Sequence, residues 1–252
     1  MGGTQGCRTI AVVLARAGSK GLPGKNVAPV AGRPCVAWTI EAALAAATVD
    51  AVLVSSDSPE VLAIGREMGA TPVEREPEHA SDTATVDDAV RACLRRAAGL
   101  DAPVTLDGRD PSACVVILYG NVPVRPAGLI DRAVALLRRT GCSSVQSYAP
   151  VGKFHPWWQA RLGEDGRVTP WEGDRLFNGV YRRQALPASF VPDGGVLVVS
   201  RTALMLEESV PPGPHAFLGR DHRGVRTEAG EVVDIDDAVD LAVAEARLRG
   251  VR

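Results

Sequence analysis

Ile10-Ala11-Val12-Val13-Leu14-Ala15-Arg16-Ala17-Gly18-Ser19-Lys20-Gly21-Leu22-Pro23-Gly24-Lys25-Asn26 runs from a short apolar strand pattern straight into a glycine-rich loop that carries three cations. An α/β protein holds a polyphosphate with such a junction. Glycines let backbone N–H groups approach the anion, and Arg16, Lys20 and Lys25 neutralise it. The P-loop pattern G-x-x-x-x-G-K-[ST] fails here, because Gly24-Lys25 would need glycine at 19 and Ser or Thr at 26, where the chain has Ser19 and Asn26. The dinucleotide fingerprint G-x-G-x-x-G fails too, since Gly18, Gly21 and Gly24 are spaced by three. The loop points to a nucleotide held in another way.

Working outward, 252 residues with 46% hydrophobic and 23% charged content suffice for one substantial core, so 1–252 reads as a single domain. A net charge of −2 argues against a general nucleic-acid or membrane-surface binder; any anion site must be a local concentration of positive charge. Met1 to Cys7 carries no apolar leader, and no run approaches the ~20 apolar residues of a membrane helix. The expectation is a cytoplasmic protein. Five cysteines, Cys7, Cys35, Cys93, Cys114 and Cys142, form no C-x-x-C pair and read as packed thiols.

Strand-like segments at 9–15, 51–56, 71–73, 114–119, 143–148 and 194–200 alternate with helix-like ones near 34–47, 59–69, 84–98, 126–140 and 236–249. The alternation predicts a Rossmann-like, doubly wound and mostly parallel α/β sheet with helices on both faces. Ligands sit beyond the carboxyl ends of such strands. The loop after 9–15, Ser55-Ser56-Asp57 and Tyr119-Gly120-Asn121 all fall at such ends. Residues 99–113 read as an exposed loop. Residues 150–193 hold Trp157, Trp158 and Trp171 in a stretch of weak periodicity, which suggests a lid or a dimerisation segment, and hence a homodimer.

The loop pattern L-x-R-x-x-S-K-G-L-x-x-K-N resembles the signature of the acylneuraminate cytidylyltransferases, which join CMP to sialic-acid-like nonulosonic sugars. Ser55-Ser56-Asp57-Ser58 is similar to that family's S-[ST]-D-S turn. Ala80-Ser81-Asp82-Thr83-Ala84 matches A-[ST]-D-T-A, Arg183-Gln184-Ala185-Leu186-Pro187 resembles R-Q-x-L-P, and Pro192-Asp193-Gly194-Gly195 resembles P-N-G-A. Val233-Asp234-Ile235-Asp236-Asp237 looks like an I-D-I-D metal motif. The motifs occur in the family's order over nearly the whole chain.

The resemblance implies a sheet of the nucleotide-diphospho-sugar transferase type, CTP as co-substrate and Mg²⁺ as cofactor. It implies a nucleotide site made by Leu14, Ala15, Arg16, Gly18, Ser19, Lys20, Gly21, Lys25, Asn26, Ser81, Asp82 and Thr83, with Arg16 and Lys25 catalytic. It places Tyr119, Asn121, Arg125, Lys153, His155, Arg183, Gln184 and Asp193 on the acceptor side. Asp234 and Asp236 share one face of an extended segment, because side chains alternate with period two, and two carboxylates there suit a hard divalent ion. Two plainer readings stay open: Asp236 or Asp237 caps the last helix, and Ser81-Asp82-Thr83 only starts the helix near 84. Lys153-Phe154-His155-Pro156 likewise reads either as a turn or as part of the acceptor site.

The chain departs from the family where the acceptor is read. Leu118-Tyr119-Gly120-Asn121-Val122-Pro123-Val124-Arg125 stands in place of L-Q-P-T-S-P-L-R, and Val191 stands where R-P-N-G has its arginine. Nucleotide motifs are kept while acceptor motifs drift, so CTP use is better determined than the acceptor. A nonulosonic acid is expected, with Kdo or another acidic molecule as the alternative. A sugar-phosphate guanylyl- or uridylyltransferase would usually read L-A-A-G-x-G-x-R, which Leu14-Ala15-Arg16-Ala17-Gly18-Ser19 does not match. A non-catalytic nucleotide binder is the third reading.

Overall fold

The computed structural model describes residues 7–18, 21–81 and 83–250. In chain order the elements are β1 (Thr9–Leu14), β2 (Pro29–Val30), β3 (Arg33–Pro34), α1 (Cys35–Leu44), β4 (Ala51–Ser56), α2 (Pro59–Glu67), β5 (Thr71–Glu74), α3 (Pro77–Ala80) and α4 (Val86–Ala98). There follow β6 (Cys114–Tyr119), α5 (Leu129–Thr140), β7 (Ser144–Pro150), β8 (Ala160–Leu162), β9 (Val168–Pro170), β10 (Phe190–Ser200), α6 (Arg201–Leu204), β11 (His222–Arg226) and α7 (Ala238–Leu248).

Seven strands form one sheet in the order β11-β7-β10-β6-β1-β4-β5. β1 pairs in parallel with both β4 and β6, β4 with β5, and β7 with β11. β10 alone runs antiparallel, wedged between β6 and β7. The sheet is α/β and mostly parallel, as the alternation predicts. The sequence pattern does not reveal the reversed β10, which starts at Phe190 rather than 194, nor β11. β10 needs a bulge between Pro192 and Leu197 to stay paired.

Strand period explains the layers. Ala11 and Val13 of β1 enter one core cluster with Val36, Ile40, Val116 and Leu118, while Ile10, Val12 and Leu14 enter the cluster on the other face with Val90, Leu94 and Ile117. β1 is buried on both sides, which is why it reads as a continuous apolar run.

Local chemistry sets the helix starts. Ser58 caps α2 ahead of Pro59, and Thr85 caps α4 by accepting from Asp88 N. Asp237 caps α7 in a capping box with Asp240, so Asp237 takes the capping role and leaves Asp236 for other work. The cysteines are free thiols, as expected. Among the described residues no helix is long and apolar enough to cross a membrane.

Candidate nucleotide and acceptor sites

The chain turns from β1 toward β4 and β5 on one side and toward β6 on the other, so the carboxyl end of β1 is a topological switch point. Several described residues of the loop after β1 are tied to its neighbours there. Ala15 N donates to Ser55 O at 3.1 Å, Ser56 Oγ donates to Ala15 O, and Ala17 N donates to Asp57 Oδ1 at 2.7 Å. The Ser55-Ser56-Asp57 turn is therefore the clamp that holds the first half of the loop.

Asn26 holds the second half. Its amide donates to Arg16 O at 2.8 Å, while its Oδ1 is buried without a hydrogen-bond partner. Gly120 is what lets β6 approach: a Cβ there would stand 2.7 Å from Ala15 Cβ and 2.8 Å from Asn26 Oδ1. Gly21 packs against the Asp236 carbonyl so closely that no side chain fits.

These contacts shape a cavity of about 230 Å³ lined by Leu14, Arg16, Lys25, Asn26, Ser81 and Asn121, with Tyr119 at its edge. The structure thus brings together seven of the residues singled out from the β1 loop, the Ala-Ser-Asp-Thr motif and the β6 end. Ser19, Lys20 and Asp82 lie outside the described residues. Ala15 is buried beneath the loop, Gly18 is exposed, and Thr83 shares a 3.2 Å hydrogen bond with Ser81. Thr85 caps α4, so the Ser81 to Thr83 stretch is not the cap of that helix.

Arg75, His79 and Thr85 also line this cavity and were not singled out from sequence. Arg75 donates to Ser55 Oγ at 3.1 Å and Ser55 O at 2.9 Å, and burial lowers its pKa from the ordinary arginine value. It directly follows β5, and the strand-end rule was the signal that could have found it.

The acidic side closes the opening of the loop. Lys25 Nζ lies 2.8 Å from Asp236 Oδ1 although 211 positions separate them. Asn121 donates to Asp234 Oδ1 and, at 3.1 Å, to Ile235 O, fixing the acidic segment against the β6 end. Burial, and then the neighbouring Asp236 charge, push the Asp234 carboxyl up to about 6. Two carboxylates that repel each other beside a cation-lined cavity are a donor set suited to a hard divalent ion.

A second cavity of about 520 Å³ joins the first through Ala84, Thr85, Val86 and Tyr119, and runs on to Tyr148, Pro192 and His222. Burial and the Asp234 charge raise the Tyr119 pKa, so its phenol is a neutral wall between the two spaces.

The residues expected on the acceptor side are held as follows. Arg125 is consumed by the chain itself, donating to Gly195 O and Val122 O at 2.6 Å each, Thr39 Oγ1 at 3.0 Å and Tyr119 O at 3.2 Å. Burial lowers its pKa to about 10, so it stays charged and acts as a strut. Asp193 accepts from Ser147 Oγ, Thr227 Oγ1 and Gly195 N, which locks the bulge of β10. His155 is 4% exposed, with Nδ1 accepting from Trp157 N and its ring edge-on to Trp157. Lys153 lies over the Phe154 ring, Arg183 sits beside Gly152, and Gln184 is exposed. Neither cavity is lined by these last three.

A doubly wound sheet whose switch-point cavity is lined by Arg16, Lys25 and Arg75, with Asp236 paired to Lys25 at its border, is the architecture of an α/β protein of the nucleotidyltransferase class. The chain belongs to the cytidylyltransferase family, whose sequence model matches residues 10–155.

It is 29% identical over 239 residues to a CMP-N,N'-diacetyllegionaminic acid synthase of Legionella pneumophila, covering 94% of this chain and 95% of that protein. It is 30% identical over 204 residues to an N-acylneuraminate cytidylyltransferase of Streptococcus agalactiae, covering 80% of this chain but 46% of that protein. The chain thus spans about half the length of the streptococcal relative. Among solved structures, a CMP:2-keto-3-deoxy-manno-octonic acid synthetase complexed with CTP superposes with a TM-score of 0.67 at 17% identity, covering 96% of this chain and 98% of that one. That likeness speaks to the fold.

Proposed function

We propose that this chain transfers CMP from CTP to a hydroxyl of an acidic nonulosonic sugar and releases pyrophosphate. The observation that carries the reading is the cavity lined by Arg16, Lys25 and Asn26, at whose border Lys25 pairs with Asp236 and Asn121 holds Asp234. Family membership and the two relatives support it.

The acceptor oxygen attacks the α-phosphorus, the bond to the bridging oxygen breaks, and pyrophosphate leaves as the acceptor's proton passes to solvent. Positioning and charge neutralisation do most of the work in such transfers. Arg16 and Lys25, with Lys20, hold the triphosphate and offset the charge that grows on the leaving phosphates. Ser81, Asp82 and Thr83 serve the cytosine and ribose, and Arg75 lines the same cavity as Ser81. Asp234 and Asp236 fit Mg²⁺ by donor type and by their mutual repulsion. When bound, Mg²⁺ would neutralise phosphate charge and lower the pKa of the attacking hydroxyl.

The exposed aromatic and apolar side chains of 150–193 support a homodimer built on that segment: Phe154 is 69%, Leu162 76% and Tyr181 84% exposed. In such a dimer Lys153 and Arg183 have a route to an acceptor carboxylate that they lack in one copy.

The test is pyrophosphate release with Mg²⁺ across the four ribonucleoside triphosphates and a panel of Neu5Ac, legionaminic, pseudaminic and Kdo acceptors. Release with CTP and one nonulosonic acid is expected. Release with Kdo alone would move the acceptor to the eight-carbon acids. Silence with CTP still binding in a calorimeter would make the protein a binder.

A further inference from the structure

The larger cavity has a chemistry of its own. Among the described residues no carboxylate, lysine or arginine lines it, so the charged end of an acidic acceptor is not what it holds. Pro192, Leu197, Phe217 and Leu218 give it an apolar wall, and Gln146 and Tyr148 add polar groups from one face of β7. A neutral substituent with both apolar and hydrogen-bonding parts fits such a space.

Hydrogen-bond direction narrows the choice. Ser144 Oγ lies 2.5 Å from Leu218 O, which can only accept, so the serine hydrogen is committed there. Toward His222 Nδ1, at 2.8 Å, the serine oxygen must therefore accept, and Nδ1 carries the ring proton. Nε2 is left with its lone pair and accepts from Tyr148 O–H at 2.8 Å. The phenol proton thus points into the protein, and the phenol oxygen offers lone pairs alone to the cavity. Gly224 makes the placement possible, since a Cβ there would stand 3.1 Å from Tyr148 Cδ2.

We propose that Tyr148, oriented by His222 and Ser144, determines acceptor specificity by accepting a hydrogen bond from the N–H of an acylamido substituent seated in this cavity. The Gln146 amide faces the acyl carbonyl, and the acyl carbon chain packs on Pro192, Phe217 and Leu218. Each of the three parts of an acylamido group then meets a matching partner. A bare hydroxyl in its place would leave the apolar wall uncovered. Tyr148 is the group that touches the acceptor; His222 is a positioning residue that acts through it.

The inference rests on the CMP-transfer reading, and steady-state kinetics of the full chain with CTP and Mg²⁺ separate the two. The acceptors are Neu5Ac, its analogue with a hydroxyl for the acetamido group, diacetyllegionaminic acid and Kdo. The wild-type chain should favour the acylated acids. Tyr148→Phe, which keeps the ring, should raise the acceptor KM by about three- to tenfold, the worth of one neutral hydrogen bond, with kcat and the KM for CTP nearly unchanged. His222→Leu should behave like Tyr148→Phe. His222→Gln, whose amide oxygen can still take the phenol proton, should restore the wild-type KM, which a merely structural histidine would not predict. An unchanged acceptor KM in Tyr148→Phe overturns the role of Tyr148. Turnover of Kdo or of the hydroxyl analogue in preference to the acylated acids overturns the acylamido assignment and leaves CMP transfer standing. No turnover of any acid by the wild-type chain overturns CMP transfer itself, and this inference with it.

Discussion

Gly120→Ala places one methyl group where β6 ends, the β1 loop begins and Asn26 is anchored. The new Cβ would stand 2.7 Å from Ala15 Cβ, 2.8 Å from Asn26 Oδ1 and 3.3 Å from Val36 Cγ2. Ordinary contacts there would be nearly 1 Å longer by rough van der Waals reckoning. Neither near neighbour can yield freely: Ala15 is fully buried and pinned by Ser55 and Ser56, and Asn26 is tied to Arg16 O. Overpacking of this kind costs about 2–3 kcal/mol. For a chain of this size that lowers Tm by roughly 4–10 °C in differential scanning calorimetry.

Because Asn26 must shift, the tether on Arg16 weakens as well. CTP affinity, read by titration calorimetry, should fall about tenfold, the loss of roughly one hydrogen bond in placing the arginine. Gly108→Ala is the control, since its Cβ would meet nothing within 4 Å and its backbone is ordinary. A Gly120→Ala chain that melts and binds CTP like the wild type refutes this account of how the cleft is closed.

Asp234→Asn removes a carboxylate whose pKa the fold raises to about 6. The cost of that charge builds up as pH rises from the ordinary aspartate value of 3.8 to about 6 and is full above that, while well below 3.8 both folded and unfolded chains hold it protonated. The variant should therefore gain about 1–2 kcal/mol at pH 7.5 without metal, after discount for partial exposure, and nothing near pH 3.5. Under the proposed reading Mg²⁺ should stabilise the wild type and not this variant; an equal response of the two to Mg²⁺ would remove Asp234 from the proposed ion site.

Arg125→Met keeps the apolar stem but removes the guanidinium donors to the Tyr119, Val122 and Gly195 carbonyls; the first two still accept from Thr39 Oγ1 or Val122 N, and Gly195 O loses its charged partner inside the fold. Unfolding should become easier by about 2–4 kcal/mol, whereas a residue serving only the acceptor would leave denaturant curves unmoved. Lys25→Ala should weaken CTP binding at least tenfold, and its stability should change by less than about 1 kcal/mol because the ion pair with Asp236 is largely exposed on one side. Equal CTP affinity in wild type and variant would exclude Lys25 from the triphosphate site.

What was legible in the sequence was local. β1 and its loop could be read because two-sided burial writes a continuous apolar run and because an anion loop needs glycines and cations together. α2, α4 and α7 could be placed from amphipathic spacing and capping residues. Alternation set Asp234 beside Asp236 as an expectation, while the structure gives this segment only an isolated bridge at Val233. The packing of the acceptor-side residues was the part not legible. Arg125 and Asp193 are polar residues in a resemblant motif, yet their partners are backbone groups and hydroxyls supplied by β6, β7 and β10, which no local pattern names.

The sequence by itself determined an α/β chain with an anion-adapted loop after its first strand, since hydrophobic period and glycine placement act over a few residues. Only the tertiary structure decided that β10 reverses between β6 and β7, because its inner residues are apolar in either direction and pairing alone sets the sense. β11 escaped notice for a related reason: His222-Arg223-Gly224-Val225-Arg226 is an edge strand with one buried side chain, too little to mark a pattern. That edge nevertheless carries His222 to Tyr148, just as the fold carries Asp236 to Lys25. Contacts between residues so far apart in the chain arise from the packing of whole elements, and packing is where the acceptor chemistry of this protein is written.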